Sequence, residues 1–373
     1  MEPIRLGMVG GGTGAFIGGV HRIAARMDGH FTLVAGALSS NPQTARESGA
    51  ALGLDPARSY DSFAKMAEVE AGRDDGIEAV SIVTPNHLHA PAATEFLRRG
   101  IHVICDKPLT ATLPEAEALA KAAQDSDAQF ILTHNYTGYP LVRQARAMVA
   151  AGDLGDLRLV HVKYLQDWMT EAVETQGSKQ AEWRVDPARA GAGGALGDIG
   201  SHAHNLAGFI TGQEVESLAA DIHSFGAGRT LDDNAHVMLR YASGMRGTLM
   251  CSQVAPGHEN GLSIQVYGTK GGLEWHQENP NELWFTPFGD PTRRLTRMGA
   301  QAHTDAVDAS RVPPGHPEGY LEAFANIYAN TAAALRAGTP NPMLPGVADG
   351  LAGMRFVNAC VQSSGDNAAW VTP

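Results

Sequence analysis

The chain has 373 residues and a formal net charge of −12. That length favours two domains, and an acidic surface repels nucleic-acid phosphates and anionic membranes, so we expect neither as a partner. The chain has 3 well-separated cysteines, no basic-then-apolar leader and no apolar run of about 18 residues, which together predict a cytoplasmic protein with reduced thiols and no membrane span.

The first third of the chain alternates short apolar strands with helical segments. Strands are predicted at 4–9, 31–38, 79–84, 101–105 and 130–133, and helices at 18–27, 42–52, 90–99, 113–125 and 141–151. Strands that alternate with helices of this length are typical of a doubly wound parallel sheet. We therefore predict an α/β N-terminal domain over residues 1–134.

The remainder has a different pattern. Strands are predicted at 157–164, 217–225, 235–241, 247–253, 262–267 and 272–275. Glycine and Asn/Asp turns separate several of these strands without a helix between them, which predicts an α+β C-terminal domain, residues 135–373, with a large, mostly antiparallel open sheet. Two late helices, 318–337 and 346–362, are expected to pack on that sheet or on the first domain, and 291–317 is predicted to be a long loop.

A glycine-rich turn joins the first strand to the first helix. Gly10, Gly12 and Ala15 satisfy the G-x-G-x-x-G/A fingerprint of a dinucleotide-binding turn, in which the backbone approaches a pyrophosphate at a helix N-terminus. The position between a strand and a helix makes this evidence stronger than the glycines alone. Other candidate cofactor contacts in this turn are Thr13, Phe16 and Ile17.

The end of the second strand bears on the choice of cofactor. An acidic residue there normally holds the adenosine ribose hydroxyls, but this sequence has Ser39 followed by Ser40. No carboxylate repels a 2′-phosphate, and no adjacent arginine attracts one. The sequence favours NAD and leaves NADP open.

Polar motifs follow the next three strands. Ligands bind at the carboxyl ends of strands in such sheets, so these motifs are candidate cofactor contacts. The predicted contacts are Thr84, Pro85, Asn86, His89, Asp106, Lys107 and Asn135.

These motifs together resemble the glucose–fructose oxidoreductase, inositol dehydrogenase and rhizopine-catabolism family (Gfo/Idh/MocA). The resemblance continues through Trp183–Pro187 and the glycine-rich segment Gly193–His202, and it covers nearly the whole chain. There are two departures from the family pattern. Asp106 replaces the glutamate of the family's Glu-Lys-Pro motif, and the glycine turn is about three residues longer than usual. The longer turn leaves open whether Ala15 or Gly18 is the third glycine position.

The resemblance implies a Rossmann domain, a sheet-based second domain for substrate binding and oligomerisation, and NAD(P) as cofactor. It also implies a small-molecule sugar or polyol substrate, and homo-oligomers, tetramers or dimers, formed through the open sheet.

Oxidising a secondary alcohol requires a hydride acceptor and a base for the hydroxyl proton. A histidine titrates near neutrality, and two residues four apart on a helix share one face. By the resemblance, His202 is the general acid/base, with Asp198 as its partner and as an acceptor for a substrate hydroxyl. Lys107 is placed to donate to the substrate oxygen.

Further side chains are candidates for contact with the sugar, whose C–H faces stack on aromatic rings. The predicted substrate contacts, besides Lys107, Asp198 and His202, are Tyr136, Trp168, Trp183 and Arg184. We predict no metal site, because His202 and His204 are two apart and would not share a helix face. Asp232–Asn234 is predicted to be a hairpin turn.

The sequence therefore predicts an NAD(P)-dependent dehydrogenase acting on a secondary hydroxyl of a cyclic polyol or pyranose, such as scyllo-inositol or an aldose. Two alternatives remain at this point. One is a glycoside 3-dehydrogenase with tightly bound cofactor, and the other is a non-catalytic nucleotide or sugar sensor.

Overall fold

The computed structural model describes residues 2–373, without the side chains of residues 179 and 180. The chain divides into two units. The first contains the residues up to Asn135 together with Leu321–Leu351, and the second contains Tyr136–Tyr320 and Ala352–Pro373. The sequence-based boundary assigns all of 135–373 to the second domain, whereas the structure places one late segment in the first unit.

The first unit is built on a parallel sheet. Its strands are β1 (Ile4–Gly10), β2 (Phe31–Ala37), β3 (Ala79–Val83), β4 (His102–Cys105) and β5 (Phe130–Leu132), and the helices between them are α1 (Phe16–Met27), α2 (Pro42–Ala51), α3 (Phe63–Ala71), α4 (His89–Leu97) and α5 (Leu113–Gln124). The strand order is β2-β1-β3-β4-β5, with every pair parallel. All five residues of β3 are buried, as expected for a strand covered by helices on both faces.

The order of the strands determines where a ligand binds. The chain runs from β1 outward to β2 and then returns to β3 on the other side of β1. This change of direction opens a crevice beyond the carboxyl ends of β1 and β3, the usual ligand position in such sheets. The predicted cofactor motifs follow these strands.

Local sequence signals begin several of these helices. Thr112 and Glu115 form a reciprocal capping box at the start of α5, and Pro114 lies in the first turn of that helix. Asn41 accepts a hydrogen bond from the amide of Thr44 and so caps α2. The sequence therefore specifies these helix starts without help from distant contacts.

The second unit is built on a larger sheet. Its elements begin with α6 (Pro140–Ala150), β6 (Leu157–Leu165), α7 (Lys179–Arg184), α8 (Pro187–Ala190) and α9 (Ser201–Thr211), and continue with β7 (Val215–His223), β8 (Asn234–Tyr241), β9 (Arg246–Ser252), β10 (Gly261–Gly268), β11 (Gly271–His276), β12 (Glu282–Pro287), β13 (Arg293–Thr296) and α10 (Thr304–Asp308). The strand order is β13-β12-β11-β10-β6-β9-β8-β7. Every pair is antiparallel except β6 with β9, which is parallel. The predicted fold class is confirmed.

One face of this sheet is packed and the other is open. Val160, Val162 and Tyr164 of β6 are buried, whereas Leu159 and Lys163, which point to the opposite face, are exposed. Helix α9 packs on β6, β9 and β10. The packed face therefore supports the helix that carries His202.

The last two helices are α11 (Tyr320–Ala337) and α12 (Val347–Gly365). In the first unit, the His21 ring of α1 lies 5.0 Å from the Phe324 ring of α11 and hydrogen-bonds the Tyr328 hydroxyl at 2.8 Å. Helix α11 is thus part of the core beside α1. No helix within residues 2–373 is both long and apolar enough to cross a bilayer.

Two local predictions are wrong. The segment 291–317 is not a single loop, because it contains β13 and α10. Asp232–Asn234 is not the hairpin turn between β7 and β8, because the connection spans 224–233 and Asn234 already belongs to β8. The carboxylate of Asp233 points inward and accepts hydrogen bonds from the amides of Phe225 and Gly226.

Candidate active site

The glycine turn passes close to the backbone around it. A Cβ added to Gly12 would lie 2.6 Å from the Leu38 carbonyl oxygen, so this position requires glycine. A Cβ added to Gly18 would overlap the Gly11 Cα. Gly18, rather than the N-cap residue Ala15, therefore provides the close approach of α1 to the turn, which is the role of the third glycine in the fingerprint.

A serine that the sequence analysis did not single out anchors the turn. The buried hydroxyl of Ser48 in α2 accepts a hydrogen bond from the Thr13 amide at 3.0 Å and lies 3.2 Å from the Thr13 hydroxyl. The Gly12 amide donates to the Leu38 carbonyl at 3.1 Å. No motif marks Ser48, because its role depends on how α2 packs against the turn.

The end of β2 presents hydroxyl groups. Ser39 accepts a hydrogen bond from the Asn41 amide at 3.1 Å, and Ser40 is exposed. The structure thus places both serines at the carboxyl end of β2, where an acidic residue would hold the ribose.

His89 joins two of the predicted cofactor motifs. Its Nδ1 lies 2.8 Å from the Pro108 carbonyl oxygen and its Nε2 lies 2.9 Å from the Thr84 carbonyl oxygen. Burial lowers the pKa of His89, although Asp106 and the two carbonyls act in the opposite direction. The ring braces the loops after β3 and β4 against each other.

Asp106 is bonded within the first unit. Its Oδ1 accepts hydrogen bonds from the Lys107 amide at 2.9 Å and from the Thr133 hydroxyl at 3.1 Å. The side chain thereby ties the loop that carries Lys107 to the end of β5. A shorter aspartate can fill this role in place of the family's glutamate.

The carboxyl edge of the first sheet fits a dinucleotide. Among residues 2–373, the buried polar atoms at this edge without a hydrogen-bond partner include Thr84 Oγ1, His87 Nδ1 and Asn135 Nδ2. An unpaired buried polar group costs about 1–3 kcal/mol, which a polar ligand at that edge would offset. Together with the glycine turn, these atoms form a cradle suited to NAD.

In the second unit, Asp198 lies on a π-helical turn, Leu196–Gly200, that continues directly into α9. Its Oδ2 accepts hydrogen bonds from Arg184 Nε and Gln253 Nε2, each at 3.0 Å. π-Helical turns often occur at functional sites. Asp198 and His202 are thus carried by one continuous helical segment, as the sequence suggested.

Aromatic rings surround these two residues. The His202 ring meets the Tyr136 ring edge to face, with centroids 4.8 Å apart. The Arg184 guanidinium carbon lies 4.3 Å from the Trp183 ring centre and 5.9 Å from that of Trp168. The second unit therefore brings together the predicted substrate contacts Tyr136, Trp168, Trp183, Arg184, Asp198 and His202.

Asp232 caps the beginning of this helical segment. Its carboxylate accepts hydrogen bonds from the Gly194 and Leu196 amides at 2.6 and 2.7 Å, and its own carbonyl accepts from the Ala195 amide at 2.9 Å. Burial raises the pKa of Asp232 to about 6. Asp232 thus accepts hydrogen bonds from three successive backbone amides, residues 194–196, just before Asp198.

Sequence reasoning missed three amide side chains in a hydrogen-bond chain that reaches Asp198 through Gln253. Gln253 follows β9, Gln166 follows β6 and Asn260 precedes β10, and hydrogen bonds connect all three. Within the described residues, no cluster of three or more His, Cys, Asp or Glu side chains is arranged to hold a metal ion.

Comparison with known proteins shows which family has this architecture. Residues 4–134 match the domain described as oxidoreductase family, NAD-binding Rossmann fold, and residues 142–274 match the GFO/IDH/MocA C-terminal domain. The crystal structure of an oxidoreductase from Sinorhizobium meliloti is 58% identical, covers 100% of both chains and superposes with a TM-score of 0.91.

Two further relatives carry more specific names. The inositol dehydrogenase homolog of Azotobacter vinelandii, solved with NADH and myo-inositol, is 38% identical, covers 100% of this chain and 98% of its own, and has a TM-score of 0.92. The levoglucosan dehydrogenase of Pseudarthrobacter phenanthrenivorans is 28% identical over 76% of each chain.

The chain therefore belongs to the GFO/IDH/MocA family and is an NAD-binding oxidoreductase. The predicted family, enzyme class and NAD cofactor are confirmed.

Proposed function

We propose that this enzyme oxidises a secondary hydroxyl of a cyclic polyol or pyranose sugar, such as an inositol or an aldose. The observation that carries the proposal is the placement of Asp198 and His202 on one helical segment, with the Tyr136 ring against His202 and with Arg184 between Asp198 and the Trp168 ring. A family relative solved with NADH and myo-inositol supports the same substrate class.

The proposed roles follow from the chemistry of each side chain. The imidazole of His202 takes the proton of the reacting hydroxyl. Asp198, pinned by Arg184 and Gln253, accepts a hydrogen bond from a substrate hydroxyl. Lys107 donates to the reacting oxygen and stabilises negative charge that develops there. The bound nicotinamide supplies the hydride acceptor.

The aromatic groups suit a ring-shaped, hydroxylated ligand. Trp168 and Trp183 offer flat apolar faces, on which the C–H faces of sugars stack. Arg184 lies against both rings and donates to Asp198, so its orientation is restrained from both sides. The two rings favour a ligand with a flat ring, and the polar groups determine how the hydroxyls of that ligand are oriented.

We infer that NAD is the preferred cofactor and that NADP is a weaker alternative. Thr13, Phe16, Ile17, Pro85 and Asn86 are proposed contacts in addition to the cradle described above. Ser39 and Ser40 leave the ribose without an anionic partner, which removes the usual discrimination against a 2′-phosphate without creating a site for it.

A cytoplasmic homo-oligomer, a tetramer or dimer, is part of the proposal. Cys105, Cys251 and Cys360 are free and buried, which suits a reducing compartment. The open face of the second sheet exposes Leu159, Met238 and Trp284, and apolar side chains grouped on one face commonly mark an interface. Light scattering of the purified protein would give the mass of the assembly.

A glycoside 3-dehydrogenase that retains its cofactor is the second candidate, because one relative is named levoglucosan dehydrogenase. Release of the nicotinamide during gel filtration distinguishes the two modes, since a retained cofactor elutes with the protein.

The first experiment measures nicotinamide reduction by absorbance, with inositols, D- and L-aldoses and glycosides as substrates and with NAD and NADP in parallel. A clear rate with one polyol or free sugar, faster with NAD, is the expected result. No rate with any of them, although the protein binds the cofactor, would contradict the proposed reaction and favour the sensor.

A further inference from the structure

A continuous hydrogen-bond network in the second unit ends on Asp198. Its members come from the ends of β6 and β9, the loop before β10 and the turn before α6. They are Gln253, Gln166, Trp168, Asn260, Tyr164 and Tyr136. We call these six residues the amide network.

The chemistry of the end groups sets the direction of each hydrogen bond. The Asp198 carboxylate only accepts and the Trp168 indole only donates. Gln253 must therefore turn its NH₂ group to Asp198, and the same nitrogen lies 3.3 Å from Gln166 Oε1. Gln166 Oε1 also accepts from Trp168 Nε1 at 3.0 Å, so Gln166 presents its own NH₂ group on the other side.

The same direction continues through the second half. Gln166 Nε2 donates to Asn260 Oδ1 at 2.9 Å, and the Tyr164 hydroxyl donates to that oxygen at 2.7 Å. Asn260 Nδ2 donates to the Tyr136 hydroxyl at 3.3 Å. The Tyr136 proton must then go to the Tyr164 oxygen, 2.5 Å away.

Three members of the network are buried, the other three are half-buried, and backbone hydrogen bonds hold its strand ends together. Gln253 is 2% exposed, and Tyr136 and Tyr164 are each 3% exposed. Because β6 and β9 are parallel, Gln166 and Gln253 leave the same edge of the sheet, and the Gln166 amide donates to the Ser252 carbonyl at 2.8 Å. Burial raises the pKa of both phenols, so they remain protonated.

We propose that Gln253 is a positioning residue that, through the fixed direction of the amide network, holds Asp198 as an acceptor for a substrate hydroxyl. This inference rests on the proposed function. Because the Trp168 indole can only donate, it fixes the direction of the hydrogen bonds, and Gln253 presents its NH₂ group to Asp198. Asp198 therefore remains a hydrogen-bond acceptor, which suits a ligand whose hydroxyl donates to it.

The test is the substitution Gln253→Glu, which preserves shape and replaces the NH₂ donor by a carboxyl. When that new carboxyl is protonated it can still donate to Asp198, whereas its ionised form repels Asp198. The other titratable groups around the network are Arg184, His202, Tyr136, Tyr139, Tyr164, Asp233, Glu278 and Tyr320. None of these changes in the variant, so a new pH dependence relative to wild type reports residue 253.

We expect kcat/KM of the variant to fall about tenfold or more below wild type near about pH 8, and the deficit to shrink toward about pH 5. Gln253→Met, which has no donor, should lose activity at every pH. Gln362→Glu, the same charge change on the exposed surface of α12, should match wild type. A Gln253→Glu profile parallel to wild type would overturn the proposal.

A second measurement does not depend on turnover. Without substrate, Gln253→Glu should melt close to wild type at acid pH and increasingly below it as the pH rises, because burial and Asp198 favour the protonated form of the introduced carboxyl. A melting deficit that is constant with pH would refute the network even if wild type oxidised no polyol or sugar. Wild-type inactivity alone would refute only the proposed function.

Discussion

Two neighbouring glycines in α1 provide a sharp test of the cofactor turn. A Cβ on Gly18 would overlap the Gly11 Cα and lie 2.6 Å from the Gly11 carbonyl oxygen. A Cβ on Gly19 would meet no atom within 4 Å. The substitutions Gly18→Ala and Gly19→Ala are chemically identical and adjacent, so their difference isolates the contact with the turn.

The two variants should change stability in opposite directions. Alanine inside a helix is favoured over glycine by about 1 kcal/mol, so Gly19→Ala should stabilise by roughly that amount. Gly18→Ala gains the same helix propensity, but the added methyl group must push α1 away from the backbone of the glycine turn. Overpacking of this kind costs about 1–3 kcal/mol or more. Backbone has no rotamer through which to relieve the overlap, so we expect a net loss.

The assays are thermal unfolding and NAD affinity by calorimetry. Each kcal/mol should move the melting temperature by roughly 2–4 °C for a unit of this size. Gly18→Ala should also weaken NAD binding about tenfold, because a shifted turn misplaces the amides that face the pyrophosphate. Equal melting temperatures and equal NAD affinities for the two variants would refute the role given to Gly18.

Three further predictions concern other parts of the molecule. His202→Ala should lower kcat at least about a hundredfold with the fold intact, whereas the exposed His236→Ala should not; equal rates would contradict the assigned base. Ser48→Ala should raise the KM for NAD with little change in kcat, and an unchanged KM would show that the turn holds its shape without that serine. Burial raises the pKa of Asp232 to about 6. The stability that Asp232 contributes is therefore fully present below its pKa in the unfolded chain, about 3.9, and is lost as the pH rises through about 6. Asp232→Asn should remove this slope from unfolding measured across pH, and parallel curves for the two proteins would exclude it.

The elements that the sequence predicts well are those with local signals. The strands of the first unit are short apolar runs, and its helices begin at caps such as Asn41 and Thr112. By contrast, β13 is a four-residue edge strand rich in charged and polar residues, and it pairs only with β12. Nothing local distinguishes β13 from the loop predicted over 291–317.

Only those residues of the candidate site that lie in recognisable sequence motifs could be predicted. Asp198, His202 and Arg184 lie in recognisable segments, and the structure places them together. Gln166 and Gln253 meet because β6 and β9 are parallel neighbours, a pairing between strands about 90 residues apart that no short pattern encodes. Asp232 resembles a turn residue in sequence because its partners lie 36–38 residues away.

The division of the chain into units constrains how it can be synthesised and truncated. The nucleotide-binding unit includes Leu321–Leu351, so its core partner for His21, Tyr328, leaves the ribosome 307 residues later. Amino-terminal domains usually fold first during synthesis, but here that unit is complete only after residue 351 has been synthesised. A fragment ending near residue 135 would expose the surface that α11 covers, which makes it a poor isolated cofactor-binding module.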